Sequence, residues 1–216
     1  MKFKDYYTKF KDETTKHSKQ IWIYTLLFTV VFAGLFGWVY EFFFYFANSG
    51  FTTFYMRGAN FLPWINIYAY GSLIIIALTY KLRKHPLLVF LVAALSCGVL
   101  EYFAGYFMYQ LMGGIRCWDY TKEILCGPNL DGFVCLRSVL IFGICGLMLM
   151  YLILPLTMYV LETTKNIKVL RIVIIVLFTI TILDEVYNLI IADAFKLPEA
   201  YDIYKSIGLK YMDYYN

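Results

Sequence analysis

Five apolar stretches separated by short polar segments organise the chain. They cover residues 21–47, 64–80, 87–113, 134–161 and 169–192. A helix needs about 20 apolar residues to cross roughly 30 Å of hydrocarbon, and four of the stretches are long enough. The stretch at 64–80 is short and is either a full span or a re-entrant segment. The pattern therefore predicts an all-α, polytopic integral membrane helical bundle with about five transmembrane helices.

Polar segments frame this apolar region at both ends. We predict a cytoplasmic Lys-rich N-terminal segment at residues 1–20, a transmembrane helical domain at 21–192 and a polar C-terminal tail at 193–216. The N-terminal segment also carries Tyr and Phe, so it is either an amphipathic segment on the membrane surface or a frayed tail. The first apolar stretch exceeds the roughly 7–15 residues of a signal-peptide core, and we expect it to remain uncleaved.

Composition supports the membrane interpretation. Of the 216 residues, 61% are hydrophobic and 16% are charged, and the mean hydropathy is +0.64. Soluble domains carry about 25% charged residues, so this chain needs lipid as a second apolar solvent. The formal net charge of +4 is spread over short loops, which argues against a nucleic-acid partner.

The basic residues also predict an orientation. With five spans and a cytoplasmic N-terminus, most of the 19 Lys and Arg residues fall on the cytoplasmic side, as the positive-inside rule requires. We therefore expect a multi-pass protein of the cell membrane, with the longer loops at 48–63 and 114–133 outside. Long loops held by a rigid scaffold often carry function.

Ionisable residues inside the apolar stretches are the sharpest functional signal. Glu41, Glu101, Asp184 and Glu185 lie within them, and an acidic residue at mid-bilayer costs about 2.5–3.5 kcal/mol on insertion. Helical rise places the first three in the outer half of the membrane, so a shared cavity opening outward is compatible with their depths. The alternative is that each lies on a packing seam between helices. Glu185 could instead snorkel to the interface.

Three arginines flank these stretches on the predicted outer side, namely Arg57, Arg116 and Arg137. A guanidinium group pairs well with a carboxylate or with a lipid phosphate. For Arg57 we favour the role of an interfacial anchor.

The remaining reactive residues give no recognised catalytic or metal motif. Cys117 and Cys126 would form a disulfide in an oxidising exterior, although the total of five cysteines weakens this pairing. His17 and His85 lie in predicted cytoplasmic segments, so we expect no metal site, and we expect no cofactor. The phosphate-binding pattern G-x-x-x-x-G-K-[ST] is absent, so any ATPase would be a separate subunit.

Several short motifs point to one family. They are Gly37-Trp38-Val39-Tyr40-Glu41; Pro63-Trp64 with Ile67-Tyr68 and Gly71; Glu101-Tyr102-Phe103-Ala104-Gly105-Tyr106; Trp118-Asp119-Tyr120; and Asn129, Gly132, Cys135 and Ser138 before Gly143. Together they resemble the Putative ABC-transporter type IV family, small bacterial membrane proteins described as ABC transporter permeases. The chain departs from the family-like Gly-Pro-Trp-x-Pro-Ile-Tyr-Gly stretch at residues 62–69. The resemblance implies a permease of the bacterial inner membrane.

The resemblance and the buried charges define one candidate set. Its members would bind substrate or line a polar cavity, and none is assigned a catalytic role. They are Glu41, Glu101, Trp118, Asp119, Tyr120, Asn129, Arg137 and Asp184.

Three functions remain open at this point. The first is a permease-like transport component whose carboxylates line a path or receive a cationic group, with the lipid bilayer and a separate ATPase or other membrane subunit as partners. The second is a membrane-embedded enzyme acting on a lipid or lipid-linked substrate, with a carboxylate as general base. The third is a non-catalytic subunit of a membrane complex. The lack of a catalytic motif favours a non-enzymatic role.

Overall fold

The computed structural model describes residues 2–14 and 16–211. Its longer helices are α1 (Phe3–Lys11), α2 (Lys19–Asn48), α3 (Asn66–Thr79), α4 (Pro86–Leu111), α5 (Leu136–Met148), α6 (Leu154–Thr163) and α7 (Ile167–Val186), followed by the short α8 (Ala192–Phe195) and α9 (Ala200–Ser206). A 3₁₀ turn, Tyr80–Leu82, follows α3. Over the described ranges, extended structure is limited to the antiparallel hairpin of β1 (Asn129–Leu130) and β2 (Val134–Cys135) and one isolated bridge. The prediction of an all-α membrane bundle is confirmed.

Three helical stretches are long and apolar enough to cross a membrane. Among the described residues these are Lys19–Asn48, Pro86–Leu111 and Leu136–Thr163. Helix α3 has 14 residues, which at 1.5 Å per residue is about 21 Å and shorter than the hydrocarbon. Helix α7 is 20 residues long but has charged residues near both ends. A total of five spans therefore stays a prediction.

Two helical stretches contain a π-helical segment. Leu149–Ile153 joins α5 to α6, and Tyr187–Ile191 joins α7 to α8. Pro155 follows the first segment and has no N–H with which to continue the regular ladder, so the widened turns lie where that ladder is already interrupted. The second segment begins two residues after Glu185, and π-bulges are frequent at functional sites.

The structure divides into two compact units, and the described residues of unit 1 lie within Met1–Thr25 and Gly71–Lys165. Its centre is the pair α4 and α5, which approach closely at small residues. A side chain at Gly143 would collide with the ring of Phe90, and one at Gly146 would collide with Ala93. Glycine at these positions lets the two backbones pack face to face.

Helix α1 packs on the same unit through its apolar face. Tyr6 and Phe10 are fully buried, and the Tyr6 ring lies edge-on to Tyr159 at 5.3 Å between centroids. Arg83 Nε donates to the carbonyl of Phe10 at 2.8 Å. This bond satisfies a carbonyl in the last turn of α1, where helices lack internal donors. The apolar face of this predicted amphipathic segment is therefore covered by protein.

Unit 2 comprises Leu26–Tyr70 and Asn166–Asp213. Glycines in α2 again permit close approach, because side chains at Gly34 and Gly37 would overlap Trp64 and Tyr68. The Trp64 indole donates to the carbonyl of Val30 at 3.2 Å. The segment between α2 and α3 is thereby held against α2, which fixes the position of the polar residues it carries.

Candidate functional site

The predicted site residues fall into two groups, one in each unit. Glu41 and Asp184 lie in unit 2, whereas Glu101 and the loop 112–135 lie in unit 1. Each carboxylate has hydrogen-bond partners within its own unit.

Asp184, near the end of α7, binds the backbone of the segment that precedes α3. Its carboxylate oxygens accept the N–H of Phe61 at 3.0 Å and the N–H of Leu62 at 2.7 Å. Asn188 Nδ2 donates a third hydrogen bond at 2.8 Å. Asn188 lies in the π-helical segment, and its Oδ1 accepts the N–H of Ala200 at 2.8 Å. One asparagine thus connects the carboxylate to the start of α9.

Glu185 is buried beside it, with 7% of its surface exposed. Asn60 Nδ2 donates to one of its oxygens and Asn66 Nδ2 to the other, each at 2.7 Å. The alternative in which Glu185 snorkels to the interface does not hold, because its side chain is buried and two asparagine amides bind its carboxylate. Asn60 and Asn66 are site residues that the sequence reasoning missed.

The donors to this pair are electrically neutral. Within residues 2–14 and 16–211, neither Asp184 nor Glu185 forms an ion pair with Lys, Arg or His. The contacts above come from backbone N–H groups and asparagine amides. Two adjacent, ionised carboxylates would leave a local charge of −2 in an apolar helix end. We call Asp184, Glu185, Asn60, Asn66 and Asn188 the acid–amide cluster.

Glu41 has a different environment, because it is paired with a cation. Arg57 Nε and Nη2 both lie 2.7 Å from Glu41 Oε2, and the guanidinium lies over the Tyr45 ring at 3.9 Å. Burial alone would lower the pKa of Arg57, but the charge and hydrogen bond of Glu41, together with Tyr45 and Tyr68, outweigh burial and the pKa is raised. The expectation that Arg57 is an interfacial anchor is wrong, since its guanidinium is occupied by Glu41 and Tyr45.

Glu101, in α4, is the central carboxylate of unit 1, and 6% of its surface is exposed. It accepts hydrogen bonds from the Tyr120 hydroxyl and from Ser138 Oγ, the latter at 2.7 Å. Ser138 Oγ also lies 2.9 Å from the Cys135 carbonyl and accepts the Cys135 N–H at 3.2 Å. It therefore caps α5 as well as contacting Glu101. Ser138 is a further site residue that sequence reasoning did not select, although it lies in a family-like motif.

The loop that carries Tyr120 is shaped by the other motif residues. Trp118 Nε1 donates to the Phe133 carbonyl at 2.9 Å. Asp119 Oδ1 accepts the Thr121 N–H at 3.0 Å and the Thr121 hydroxyl at 2.6 Å, and Lys122 lies 3.8 Å from its other oxygen. This is the side-chain-to-backbone pattern with which Asp forms tight turns.

Asn129 closes the hairpin of this loop, because its Oδ1 accepts the Gly132 N–H at 3.1 Å. Gly132 has a φ of +72°, and a side chain there would meet Arg116 and Asp119. Its carbonyl accepts the Tyr120 N–H at 3.0 Å. Gly132 thus lets the hairpin approach closely enough to hold the backbone of Tyr120.

Arg137, in the first turn of α5, fixes the other side of the loop. Its Nη2 lies 2.7 Å from Glu123 Oε2, and its Nη1 donates to the Ile124 carbonyl at 2.7 Å. The guanidinium carbon is 5.2 Å from the centre of the Tyr120 ring. Arg137 therefore orients Tyr120, which in turn contacts Glu101.

None of the five cysteines forms a disulfide in the structure. Cys117 is half-buried and Cys126 is buried, and no bond joins them. Burial raises the pKa of Cys126 to about 12, with Cys135 as its hydrogen-bonded neighbour. In the part of the chain that the structure describes, no group of three or more His, Cys, Asp or Glu side chains could hold a metal ion.

We compared the chain, including the region that contains the short motifs and the carboxylates, with known proteins. No curated protein and no solved structure matches the chain. One family model does match, over residues 26–189, which is more than half of the sequence and contains Glu41, Glu101, Asp184 and Glu185. The resemblance seen in the short motifs is thereby confirmed, and the chain belongs to the Putative ABC-transporter type IV family.

Proposed function

We propose that the protein is a permease-like transport component that carries no ATPase of its own and works with a separate ATP-binding subunit. Family membership supports a transport role, and three apolar helices of sufficient length support residence in a membrane. The distribution of Lys and Arg supports a cytoplasmic N-terminus and five passes through the cell membrane.

The acid–amide cluster is the observation that carries this proposal. Its two carboxylates are adjacent and contacted by neutral donors; Glu185 is buried and Asp184 is half-buried. A buried charge is costly unless an opposite charge compensates it, so the cluster favours a positive group. We assign it the role of receiving a cationic group of the transported solute.

The other carboxylates suit this role less well. Glu41 is compensated by Arg57 at 2.7 Å, and Asp119 has Lys122 nearby. Glu101, with Tyr120 and Ser138, forms a second polar group in unit 1. In this proposal Glu101, Tyr120 and the loop residues Trp118, Asp119, Asn129 and Arg137 line the transport path.

Purification from native membranes tests the energy source. A tagged copy of the chain, extracted in mild detergent, should retain a stoichiometric ATP-binding subunit that hydrolyses ATP, identified by mass spectrometry. The same purification with an unrelated tagged multi-pass protein is the control. A chain that purifies without any ATP-binding partner, from membranes in which it is fully extracted, would contradict this part of the proposal.

A membrane-embedded enzyme is the second candidate, and one contact favours it. Ser138 Oγ lies 2.7 Å from Glu101 Oε2, so the carboxylate could accept a hydroxyl proton as a general base does. Deletion of the gene should then alter lipid composition, and Glu101→Gln should fail to restore it. A lipid profile that is unchanged by deletion argues against this candidate and leaves the permease proposal in place.

A further inference from the structure

The loop of unit 1 carries an exposed leucine in a strained conformation. Leu125 is 81% exposed and has a φ of +57°. Left-handed backbone is unfavourable for a residue with a Cβ, and glycine or asparagine is the usual occupant. A large apolar side chain is thus presented outward at an energetic cost.

Two hydrogen bonds and a buried neighbour hold this turn in place. Arg137 bonds the residues just before Leu125, through the Ile124 carbonyl and the Glu123 carboxylate, each at 2.7 Å. Cys126, the residue just after it, is buried. The arrangement fixes the turn on both sides of Leu125. We call residues 123–126 the Leu125 turn.

The chain just after the exposed leucine adjoins an apolar stripe on α5. Leu136, Leu140 and Ile144 are exposed on α5, and their spacing of four residues places them on one helix face. A Cβ at Gly127, two residues after Leu125, would lie 3.7 Å from Leu136 Cβ. Helix α5 begins a stretch long and apolar enough to span the bilayer, so lipid is a suitable environment for its exposed stripe.

We propose that the Leu125 turn is a membrane-interface anchor, with the Leu125 side chain seated in lipid at the leaflet where α5 begins. The occupant of this surface is phospholipid, because the turn adjoins the exposed stripe of a helix that begins a stretch long and apolar enough to span the bilayer. Arg137 connects the anchor to Tyr120, whose ring lies 5.2 Å from its guanidinium. The anchor therefore sets the height of the loop above Glu101. This inference does not depend on the transport proposal.

Depth-dependent fluorescence quenching tests the anchor. Leu125→Trp and the control Lys122→Trp, which replaces a half-exposed side chain on the same loop, are placed in nanodiscs of phosphatidylcholine or of its 6,7-dibrominated form. After subtraction of the parent spectrum, we expect bromine to quench the indole introduced at position 125 at least twofold more than the one at position 122. Aqueous iodide should quench the indole at position 125 at least twofold less. Equal quenching at the two positions, or shielding from both bromine and iodide, would overturn the proposal, the latter by indicating a protein occupant.

Hydroxyl-radical footprinting of the unmodified protein provides a second measurement, in case the tryptophan variants do not fold. In nanodiscs, oxidation of Leu125 should fall at least threefold below that in a synthetic peptide of residues 120–130. Oxidation at the rate of the free peptide would overturn the proposal.

Discussion

Two nitrogen atoms of Arg57 reach the same oxygen of Glu41, each at 2.7 Å. The pair is largely buried, and Arg57 is held from its other side by the Tyr45 ring. Glu185 differs, because its carboxylate is bound by two neutral asparagine amides. The charge of Glu41 is therefore balanced by a cation, whereas a charge on Glu185 is not. The stability of the protein should therefore respond differently to replacement of Glu41 and of Glu185 by glutamine.

Glu41→Gln should lower stability. The substitution leaves the Arg57 guanidinium buried without its counter-charge, and breaking one side of a buried pair costs about 3–5 kcal/mol. We expect a clearly lower midpoint of thermal unfolding in detergent. The double variant Glu41→Gln with Arg57→Met should recover part of the loss, because no charge is then left unpaired. A midpoint unchanged by Glu41→Gln would show that the pair contributes nothing to stability.

Glu185→Gln should leave stability nearly unchanged, within about 1 kcal/mol. The glutamine oxygen still accepts from one asparagine amide, and the substitution removes an uncompensated charge from the interior. The same unfolding measurement, made beside Glu41→Gln, gives the comparison. A loss for Glu185→Gln as large as that for Glu41→Gln would mean that the Glu185 charge is balanced in the folded protein.

Tyr6 predicts a pH dependence of stability. Burial and then the charge of Glu162 raise the pKa of Tyr6 above its ordinary value of 10.0. The folded state thus holds this proton more tightly than the unfolded state. The resulting contribution of Tyr6 to the free energy of unfolding is fully present below pH 10 and declines as the pH rises above it. Tyr6→Phe, which has no phenolic proton, should lose less stability than the wild type between pH 9 and pH 11. The free energy of unfolding is measured against pH for both proteins. Identical slopes of the two curves between pH 9 and pH 11 would contradict the prediction.

Cys126 should be unreactive in the folded protein. Its pKa of about 12 leaves only about one thiol in ten thousand as thiolate at pH 8, and the side chain is buried. Labelling with iodoacetamide, followed by peptide mass spectrometry, should modify the half-buried Cys117 well before Cys126. Denaturant should abolish the difference. Rapid labelling of Cys126 in the folded protein would be inconsistent with this burial.

The helical part of the fold is readable from sequence because it depends on local pattern. Runs of apolar residues fix where α2, α4 and the continuous stretch from α5 to α6 lie, and the polar breaks fix their ends to within a few residues. The presence of the acidic residue Asp184 within an apolar run can likewise be recognised in the sequence. These features can be predicted without knowing which residues are in contact in the folded protein.

The partners themselves depend on contacts that no local rule encodes. Asp184 binds the backbone of Phe61 and Leu62 across more than 120 positions of sequence, and backbone donors leave no signature in residue type. Asn60 and Asn66 could have been suspected, since amides beside an apolar stretch need partners, but the sequence does not assign them to Glu185. Arg57 shows the same difficulty, because its pairing with Glu41 depends on how the segment after α2 folds back.

Transport by the reconstituted complex tests the central claim most directly. Proteoliposomes containing the chain and its ATP-binding partner are supplied with a defined mixture of polyamines, quaternary ammonium compounds and basic amino acids, and the solutes accumulated with ATP are measured by mass spectrometry. We predict ATP-dependent accumulation of at least one cationic solute, reduced at least tenfold by Glu185→Gln and unaffected by Asp193→Asn, which changes an exposed acid farther along the same helical stretch. Accumulation that is equal in the wild type and Glu185→Gln would contradict the role of the acid–amide cluster, and its complete absence in the wild type would contradict transport of these cations.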